Sequence, residues 1–273
     1  MGSFSARRSE SILGANQSHH SACAQRRPSS SRPASPQTNR RPTVAVLAVQ
    51  GAFVEHERQL RDLGCDVVEL RQRADLDRPF DGLVLPGGES TAQGKLLAEL
   101  DMLRPLRERI LGGLPVLGTC AGLILLAQSI EGAGDTQQLD ETLVAGRTQV
   151  QGLRTLPCTV VRNGYGRQLG SFTAYAPFGP VGAKPAGESA NAAAVTAPNQ
   201  PASTAAPAAA ATRTIPMVFI RAPYIAQVGE GCQVLACVDG RIAAVRHENQ
   251  IACTFHPELT DDTTVYQAFL SLL

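Results

Sequence analysis

The sequence contains no tryptophan, and aromatic residues make up only 4% of its 273 residues. So few large rings argue against an aromatic-rich β-sandwich and favour the aliphatic core of an α/β protein. No apolar run approaches the about 20 residues that a membrane-spanning helix requires, so no membrane partner is expected. The formal net charge is only +1, which gives no reason to expect nucleic-acid binding.

The seven cysteines include no C-x-x-C pair and no spacing typical of a metal site. Most of them lie in apolar, strand-like runs, where a thiol behaves as a small hydrophobic side chain. Their odd number, with no recognisable signal peptide, indicates a reducing compartment. The sequence therefore predicts no metal and no cofactor.

Two segments lack any hydrophobic period and are predicted to be disordered. Residues 1–42 are rich in Ser, Pro and Gln and hold seven Arg and one Glu, a net charge of +6, which leaves −5 for the remainder. The Ala/Pro-rich segment at about 180–213 interrupts a single domain expected over residues 43–273. Because residues 1–42 also have the Arg- and Ser-rich composition of a transit peptide, we expect a cytoplasmic protein with an organelle as the alternative.

The expected domain begins with a continuous apolar run at residues 44–49, as in a strand covered on both faces. An amphipathic helix is predicted over residues 53–63, and strands and helices alternate up to about residue 130. This alternation predicts an α/β fold with a doubly wound, mostly parallel sheet and three layers, as in flavodoxin. The second half is richer in strand patterns, so additional antiparallel strands are expected.

The segment GTCAG at residues 118–122 places one thiol between two apolar runs. Its glycines permit a strand, a tight turn and a helix with Cys120 at the apex, which is the nucleophile elbow of hydrolases with Cys in place of Ser. The N–H groups of a helix that begins at Ala121 would favour a thiolate. An ordinary buried cysteine would give the same pattern, so other segments must decide.

A thiolate nucleophile needs a base, and the base needs an orienting acceptor. His256 follows an apolar run, and Pro257 pushes it toward an extended backbone. Residues two apart in an extended segment point to the same side, so Glu258 can reach one imidazole nitrogen while the other faces a thiol. The pattern predicts a Cys120–His256–Glu258 triad, with a simple strand-end turn as the alternative.

PGGES at residues 86–90 ends another predicted strand, at the edge where open α/β sheets bind ligands. Its paired glycines let backbone amides approach a ligand. The amide of Gly88 could therefore form an oxyanion hole together with that of Ala121. A plain glycine turn is the alternative.

The order PGGES, GTCAG, HPE resembles the class I, triad-type glutamine amidotransferases. Further motifs are similar to the glutaminase subunits of pyridoxal 5′-phosphate synthase, over residues 43–178 and 214–273. The segments that carry this resemblance are VQGAF at 49–53 with His56, LPGGEST at 85–91, GTCAGLI at 118–124, RNGYGRQ at 162–168 with Ser171 and Phe172, VFIRAP at 218–223 and FHPELT at 255–260.

The resemblance implies hydrolysis of L-glutamine to glutamate and ammonia. The ammonia would pass within a hetero-oligomeric complex to a synthase subunit that builds pyridoxal 5′-phosphate. By the same resemblance, Cys120 attacks the amide, His256 protonates the leaving ammonia and then activates water, and Glu258 orients His256. The turn at Gln50 and Gly51 corresponds to the loop that faces the synthase.

The resemblance also implies a set of glutamine-binding residues, of which an Arg suits the substrate carboxylate and Glu89 its ammonium. These residues are Gly88, Glu89, Ser90, Arg162, Ile220 and Arg221. Two features depart from the family pattern, since Gly164 replaces a usual Ser and residues 131–151 fit poorly. Three alternatives stay open: a class I glutaminase for another synthase, such as that of imidazole glycerol phosphate, a non-catalytic relative, and a stand-alone cysteine hydrolase.

Overall fold

The computed structural model describes residues 40–131, 151–162, 171–179 and 213–273. Within residues 40–273 these form one compact unit. The predicted extension, the predicted insertion and the segment that fits the family poorly lie almost wholly outside the described residues. Their predicted disorder, and the domain boundaries built on it, stay predictions.

The helices are α1 (Phe53–Asp62), α2 (Ser90–Glu99), α3 (Leu103–Leu111), α4 (Ala121–Leu126) and α5 (Thr264–Leu270). The strands are β1 (Thr43–Leu47), β2 (Asp66–Leu70), β3 (Gly82–Leu85), β4 (Val116–Thr119), β5 (Ala127–Glu131), β6 (Leu156–Val161), β7 (Ser171–Phe178), β8 (Arg213–Ile220), β9 (Tyr224–Val228), β10 (Gln233–Val238), β11 (Arg241–His247) and β12 (Gln250–Cys253). Two short 3-10 turns cover Arg73–Asp77 and Pro257–Leu259.

Ten strands form one mixed sheet in the order β2-β1-β3-β4-β12-β11-β9-β6-β5, with β10 paired to β11. The pairs from β2 through β12 are all parallel, as the alternation of strands and helices predicted. Antiparallel pairs join β12 to β11, β11 to β10 and β9, and β9 to β6. The strands β7 and β8 form a separate antiparallel pair.

Both faces of the sheet are covered, which explains why β1 is apolar from Val44 to Leu47. Ala45 and Leu47 belong to one core, whereas Val44 and Val46 belong to the other. Side chains of α2, α3 and α4 complete the first core, and side chains of α1, α5 and the β7–β8 pair complete the second. The parallel half of the sheet therefore has helices on both faces and forms three layers, so a binding site is expected at the ends of its strands.

Among the described residues, no helix is long and apolar enough to cross a membrane. The cytoplasmic location and its organelle alternative stay predictions.

Candidate active site

Three neighbouring parallel strands, β3, β4 and β12, end at the same edge of the sheet. Their register places Leu85 beside Gly118 and Thr119 beside Cys253. The PGGES loop follows β3, Cys120 follows β4 and His256 follows β12. The structure therefore brings the three predicted motifs together at the carboxyl edge, where α/β sheets bind their ligands.

Cys120 occupies the turn between β4 and α4, with φ of 48° and ψ of −99°. Residues other than glycine rarely adopt this conformation, and such strain is concentrated at functional sites. The Cys120 N–H donates to the Cys253 carbonyl at 2.9 Å, which ties the turn to β12. Gly122 permits the close approach of α4, since a Cβ there would stand 2.0 Å from the Leu85 carbonyl oxygen. The predicted elbow is thus formed.

His256 and Glu258 make the hydrogen bond that the sequence predicted, with 2.6 Å between Nδ1 and Oε1. The predicted route to this contact was wrong. An extended segment does not align the two side chains; instead, the 3-10 turn at Pro257–Leu259 carries Glu258 back toward the imidazole. The backbone N–H of His256 donates to the Val218 carbonyl of β8 at 2.8 Å, which anchors the start of the turn.

The side chains of the three residues predicted as a triad, Cys120, His256 and Glu258, interact electrostatically. Burial disfavours the imidazolium, but a hydrogen bond with Cys120 and the carboxylate of Glu258 outweigh it and raise the pKa of His256 to about 10. Burial alone would raise the pKa of Glu258, but the two neighbouring histidines, His56 and His256, lower it. The imidazole of His256 is therefore held in its charged form next to Cys120.

The PGGES loop packs directly on His256 and Cys120. A Cβ on Gly87 would stand 2.4 Å from His256 Cε1 and 3.5 Å from Cys120 Cβ, so this position requires glycine. A Cβ on Gly88 would stand 2.4 Å from Gln50 Oε1. The loop therefore packs too closely against His256 and Gln50 to accept a side chain at either glycine.

The sequence model of the SNO glutamine amidotransferase family matches residues 46–201 and 207–273. The chain belongs to this family. The pyridoxal 5′-phosphate synthase subunit PdxT of Desulfitobacterium hafniense is 47% identical over 227 residues, which cover 83% of this chain and 91% of the relative. The subunit of the same name from Methanocorpusculum labreanum is 44% identical over 230 residues, covering 84% and 97%.

A solved crystal structure of a glutamine amidotransferase is similar to this chain with a TM-score of 0.64 and 33% identity, covering 84% of this chain and 97% of the other. Together with the family match, it confirms the predicted α/β fold class. The motif-based resemblance and the enzyme class, a glutamine amidotransferase, are likewise confirmed.

In this glutamine amidotransferase, Glu89 is the N-cap of α2. Its carboxylate accepts hydrogen bonds from the N–H groups of Thr91 at 3.0 Å and Ala92 at 2.6 Å. Burial alone would raise the pKa of Glu89, but these two donors outweigh it and lower the pKa. Arg162 Nη2 lies 3.5 Å from Glu89 Oε1, and Ser90 is buried at the start of α2. The structure thus groups three of the predicted glutamine-binding residues.

Ile220 is the last residue of β8 and pairs with Ser171, and Arg221 follows it. In the same strand, the Val218 carbonyl accepts the backbone N–H of His256. Ile220 and Arg221 are both exposed, and Arg221 has a φ of 42°. Among the residues that the structure describes, none makes a hydrogen bond or ion pair with the Arg221 side chain. The segment that contains Gly164 lies outside the described residues.

The sequence interpretation gave no role to His56, Thr119 and Tyr266, which surround the far side of the triad. His56 Nε2 lies 3.1 Å from Thr119 Oγ1 and 3.4 Å from Glu258 Oε2. The Tyr266 hydroxyl lies 2.7 Å from His56 Nδ1. His56 stands close to the VQGAF motif in sequence, but only the fold shows what it contacts. Within the described ranges, no group of three or more His, Cys, Asp or Glu is placed to hold a metal ion.

Proposed function

We propose that this chain hydrolyses L-glutamine to L-glutamate and ammonia with Cys120 as nucleophile, His256 as base and acid, and Glu258 as the residue that orients His256. The observation that supports it best is the connected line of Cys120, His256 and Glu258 at the ends of adjacent parallel strands. This is the nucleophile, base and orienting acceptor that acyl transfer requires.

In the first half-reaction, the Cys120 thiolate attacks the side-chain amide carbon, and the carbonyl π electrons move onto the oxygen. The backbone amides of Gly88 and Ala121 bind this oxyanion. Ala121 is the first residue of α4, so its N–H has no partner within the helix. When the intermediate collapses, the C–N bond breaks, His256 gives its proton to the leaving nitrogen, and ammonia departs from a thioester.

In the second half-reaction, neutral His256 removes a proton from water, and the resulting hydroxide attacks the thioester carbon. Collapse of this second oxyanion breaks the C–S bond and releases glutamate and the Cys120 thiolate. Glu258 fixes the orientation of the His256 ring and balances the imidazolium charge in both steps, because its Oε1 remains hydrogen-bonded to Nδ1.

Glutamine would be held by its amino-acid end, through a carboxylate and an ammonium group. Arg162 suits the substrate carboxylate, and Glu89, whose pKa is lowered by its two N–H donors, suits the ammonium. Gly88, Ser90, Ile220 and Arg221 complete the proposed glutamine-binding set.

We further propose that the ammonia passes to the synthase subunit of pyridoxal 5′-phosphate synthase, docked near Gln50 and Gly51. The curated relatives carry the name of a subunit of that synthase. The proposed docking turn is bonded to the catalytic loop, since Gln50 Oε1 accepts from the Glu89 N–H at 2.9 Å and the Ala52 N–H donates to the Gly87 carbonyl at 3.0 Å. Docking would therefore act directly on the loop that carries Gly88.

The test of the glutaminase assignment is Cys120→Ala. We expect it to abolish ammonia release from glutamine because it removes the thiol that attacks the amide in the proposed mechanism. The matched control is Cys237→Ala, which removes an exposed thiol on β10 and should leave the rate unchanged. Ammonia release near the wild-type rate from Cys120→Ala would remove the assignment.

The partner assignment has its own assay, which measures ammonia release with and without the synthase subunit. We expect a low rate for the chain alone and a higher rate when the synthase subunit is added, because the Gln50 turn and the Gly88 loop are bonded to each other. Equal rates in the two samples would contradict the proposed partner and leave the glutaminase assignment intact.

A further inference from the structure

A buried histidine that the proposed mechanism does not use faces the second oxygen of the Glu258 carboxylate. His56 Nε2 lies 3.4 Å from Glu258 Oε2, and both side chains are 0% exposed. Within the described part of the chain, Glu258 Oε2 has no hydrogen-bond partner. Buried polar atoms are rarely left unsatisfied, and the atom placed to satisfy this one is His56 Nε2.

We infer that His56, oriented by Tyr266, is a positioning residue that holds Glu258 so that its other oxygen, Oε1, stays on His256. The inference rests on the proposed function, because Glu258 matters here as the residue that orients the catalytic base. A glutamate carboxylate turns easily about its last torsion, so one contact at Oε1 does not fix it. A second contact at Oε2, made by His56 on α1, prevents the carboxylate from turning.

The hydrogen-bond pattern selects the tautomer of His56. If Nδ1 carried the proton, the Nε2 lone pair would face the Glu258 carboxylate, which is repulsive. If Nε2 carries the proton, it donates to Thr119 Oγ1, 3.1 Å away, and Nδ1 accepts from the Tyr266 hydroxyl at 2.7 Å. The same N–H lies 3.4 Å from Glu258 Oε2, which makes this contact an electrostatic attraction and not a second hydrogen bond. Burial raises the pKa of Tyr266, which keeps the phenol protonated and able to donate.

The charge state of His56 completes the arrangement. Burial lowers the pKa of His56 below its ordinary value of 6.5, against the opposing charge of Glu258, so the imidazole is neutral at pH 7. A neutral donor steadies the carboxylate without competing for its negative charge. The negative charge of Glu258 therefore pairs with the imidazolium of His256.

Other titratable groups face this cluster from three elements. Cys253 on β12 and Tyr266 on α5 are buried thiol and phenol groups whose pKa values are raised, first by burial and then by Glu258. Glu55 on α1 acts on His56 from a distance. The raised pKa values keep Cys253 and Tyr266 protonated, so we assign a shift in the alkaline limb of activity to His256, whose pKa is raised to about 10.

The test compares His56→Leu with His56→Gln in the full chain, assayed with the synthase subunit present. Leu removes the donor, whereas the amide nitrogen of Gln can replace His56 Nε2. We expect His56→Leu to lower kcat by about 10- to 100-fold, by analogy with the loss of residues that orient metal ligands in metalloenzymes. Its KM should not change, and its alkaline limb should move to lower pH because Glu258 supports His256 less well. His56→Gln should recover most of kcat and the wild-type limb.

Tyr266→Phe is the second variant, and it tests the positioning role of His56 if His56→Leu does not fold. It keeps a ring at the edge-on contact with His56 but removes the hydroxyl that sets the tautomer. We expect a smaller fall in kcat with the limb displaced in the same direction. An unchanged limb in these variants, or a loss of kcat that follows only the unfolded fraction, would overturn the inference.

Failure of this inference is distinguishable from failure of the proposed function. If Cys120→Ala stays active, the proposed function fails, and the inference fails with it. If Cys120→Ala is inactive while His56→Leu has the kcat and pH limb of wild type, only the role of His56 is wrong.

Discussion

Gly87 is the residue on which the spacing of the proposed catalytic pair depends, because a Cβ there would stand 2.4 Å from His256 Cε1. We expect Gly87→Ala to displace the imidazole and lower kcat/KM by on the order of 100-fold, since a misplacement of about 1 Å costs that much. Initial rates of ammonia release measure this. In the control Gly112→Ala, a Cβ meets nothing closer than 3.3 Å. Equal rates for the two variants would contradict the expectation.

Glu258 is the residue whose charge should set the alkaline limit of activity. Burial opposes the imidazolium, but Cys120 and Glu258 raise the pKa of His256 from 6.5 to about 10. Glu258→Gln removes the charge and keeps the shape, so the pKa of His256 falls. We therefore expect the alkaline limb of kcat/KM, near pH 10 in the wild type, to move to lower pH. Rate profiles from about pH 6 to about pH 11 test this.

The control for that profile is Glu99→Gln, which removes an exposed carboxylate on α2 and should leave the limb in place. A limb that stays at the wild-type pH in Glu258→Gln would refute the charge argument. The same raised pKa also acts on stability. Its contribution to the free energy of unfolding is fully present below pH 6.5 and is lost as the pH rises through about 10.

At the residue scale, the sequence could predict functional residues that lie in short, recognisable sequence patterns. Cys120 lies between two glycines, and His256 is two residues from Glu258, so short patterns predicted all three. His56 and Tyr266 are 210 positions apart, and nothing local links them. Their contact exists only because α1 and α5 cover the same face of the sheet, which periodicity alone does not reveal.

At the scale of elements, α4 must pack tightly on β3 for the elbow to form. A Cβ on Gly122 would stand 2.0 Å from the Leu85 carbonyl oxygen and 2.7 Å from its carbon. We expect Gly122→Ala to lower the free energy of unfolding by about 3 kcal/mol, the upper end of the usual cost of overpacking. Chemical denaturation measures the loss. If its midpoint equals that of Gly112→Ala, the close packing of α4 is not what the fold requires.

The strands predicted from the sequence were those with apolar runs buried on one or both faces. β1 and β3 are buried almost throughout and were predicted within a few residues. β5 and β9 were missed because they carry exposed polar residues and no clear alternation. They form because neighbouring strands of the sheet pair with them, and this pairing depends on the tertiary fold and not on the local sequence.

At the scale of the whole molecule, the site depends on distant parts of the chain that meet at one edge of the sheet. The Gln50 turn after β1 is bonded to the loop after β3, and Gln93 Nε2 of α2 binds the carbonyls of both Gln50 and Pro86. These bonds make the proposed docking turn and the proposed oxyanion loop one mechanical unit. A partner that moves the turn must therefore also move the loop that bears Gly88.

Val54 is the residue that tests this proposed docking surface, because it is 58% exposed in the first turn of α1, next to Gln50 and Gly51. We expect Val54→Asp to weaken binding of the synthase subunit at least about tenfold, because a carboxylate buried in the interface without a partner costs more than the about 1.4 kcal/mol that a tenfold change represents. Titration of glutaminase activity with the synthase subunit measures this. The rate without the synthase should not change.

Leu111 provides the matched control for that experiment. It is also 58% exposed, but it ends α3, which leads into the amino end of β4 at the opposite edge of the sheet. Leu111→Asp should therefore titrate like the wild type. If the two variants lose the same affinity, or if only Leu111→Asp loses it, the synthase subunit does not dock at the Gln50 turn.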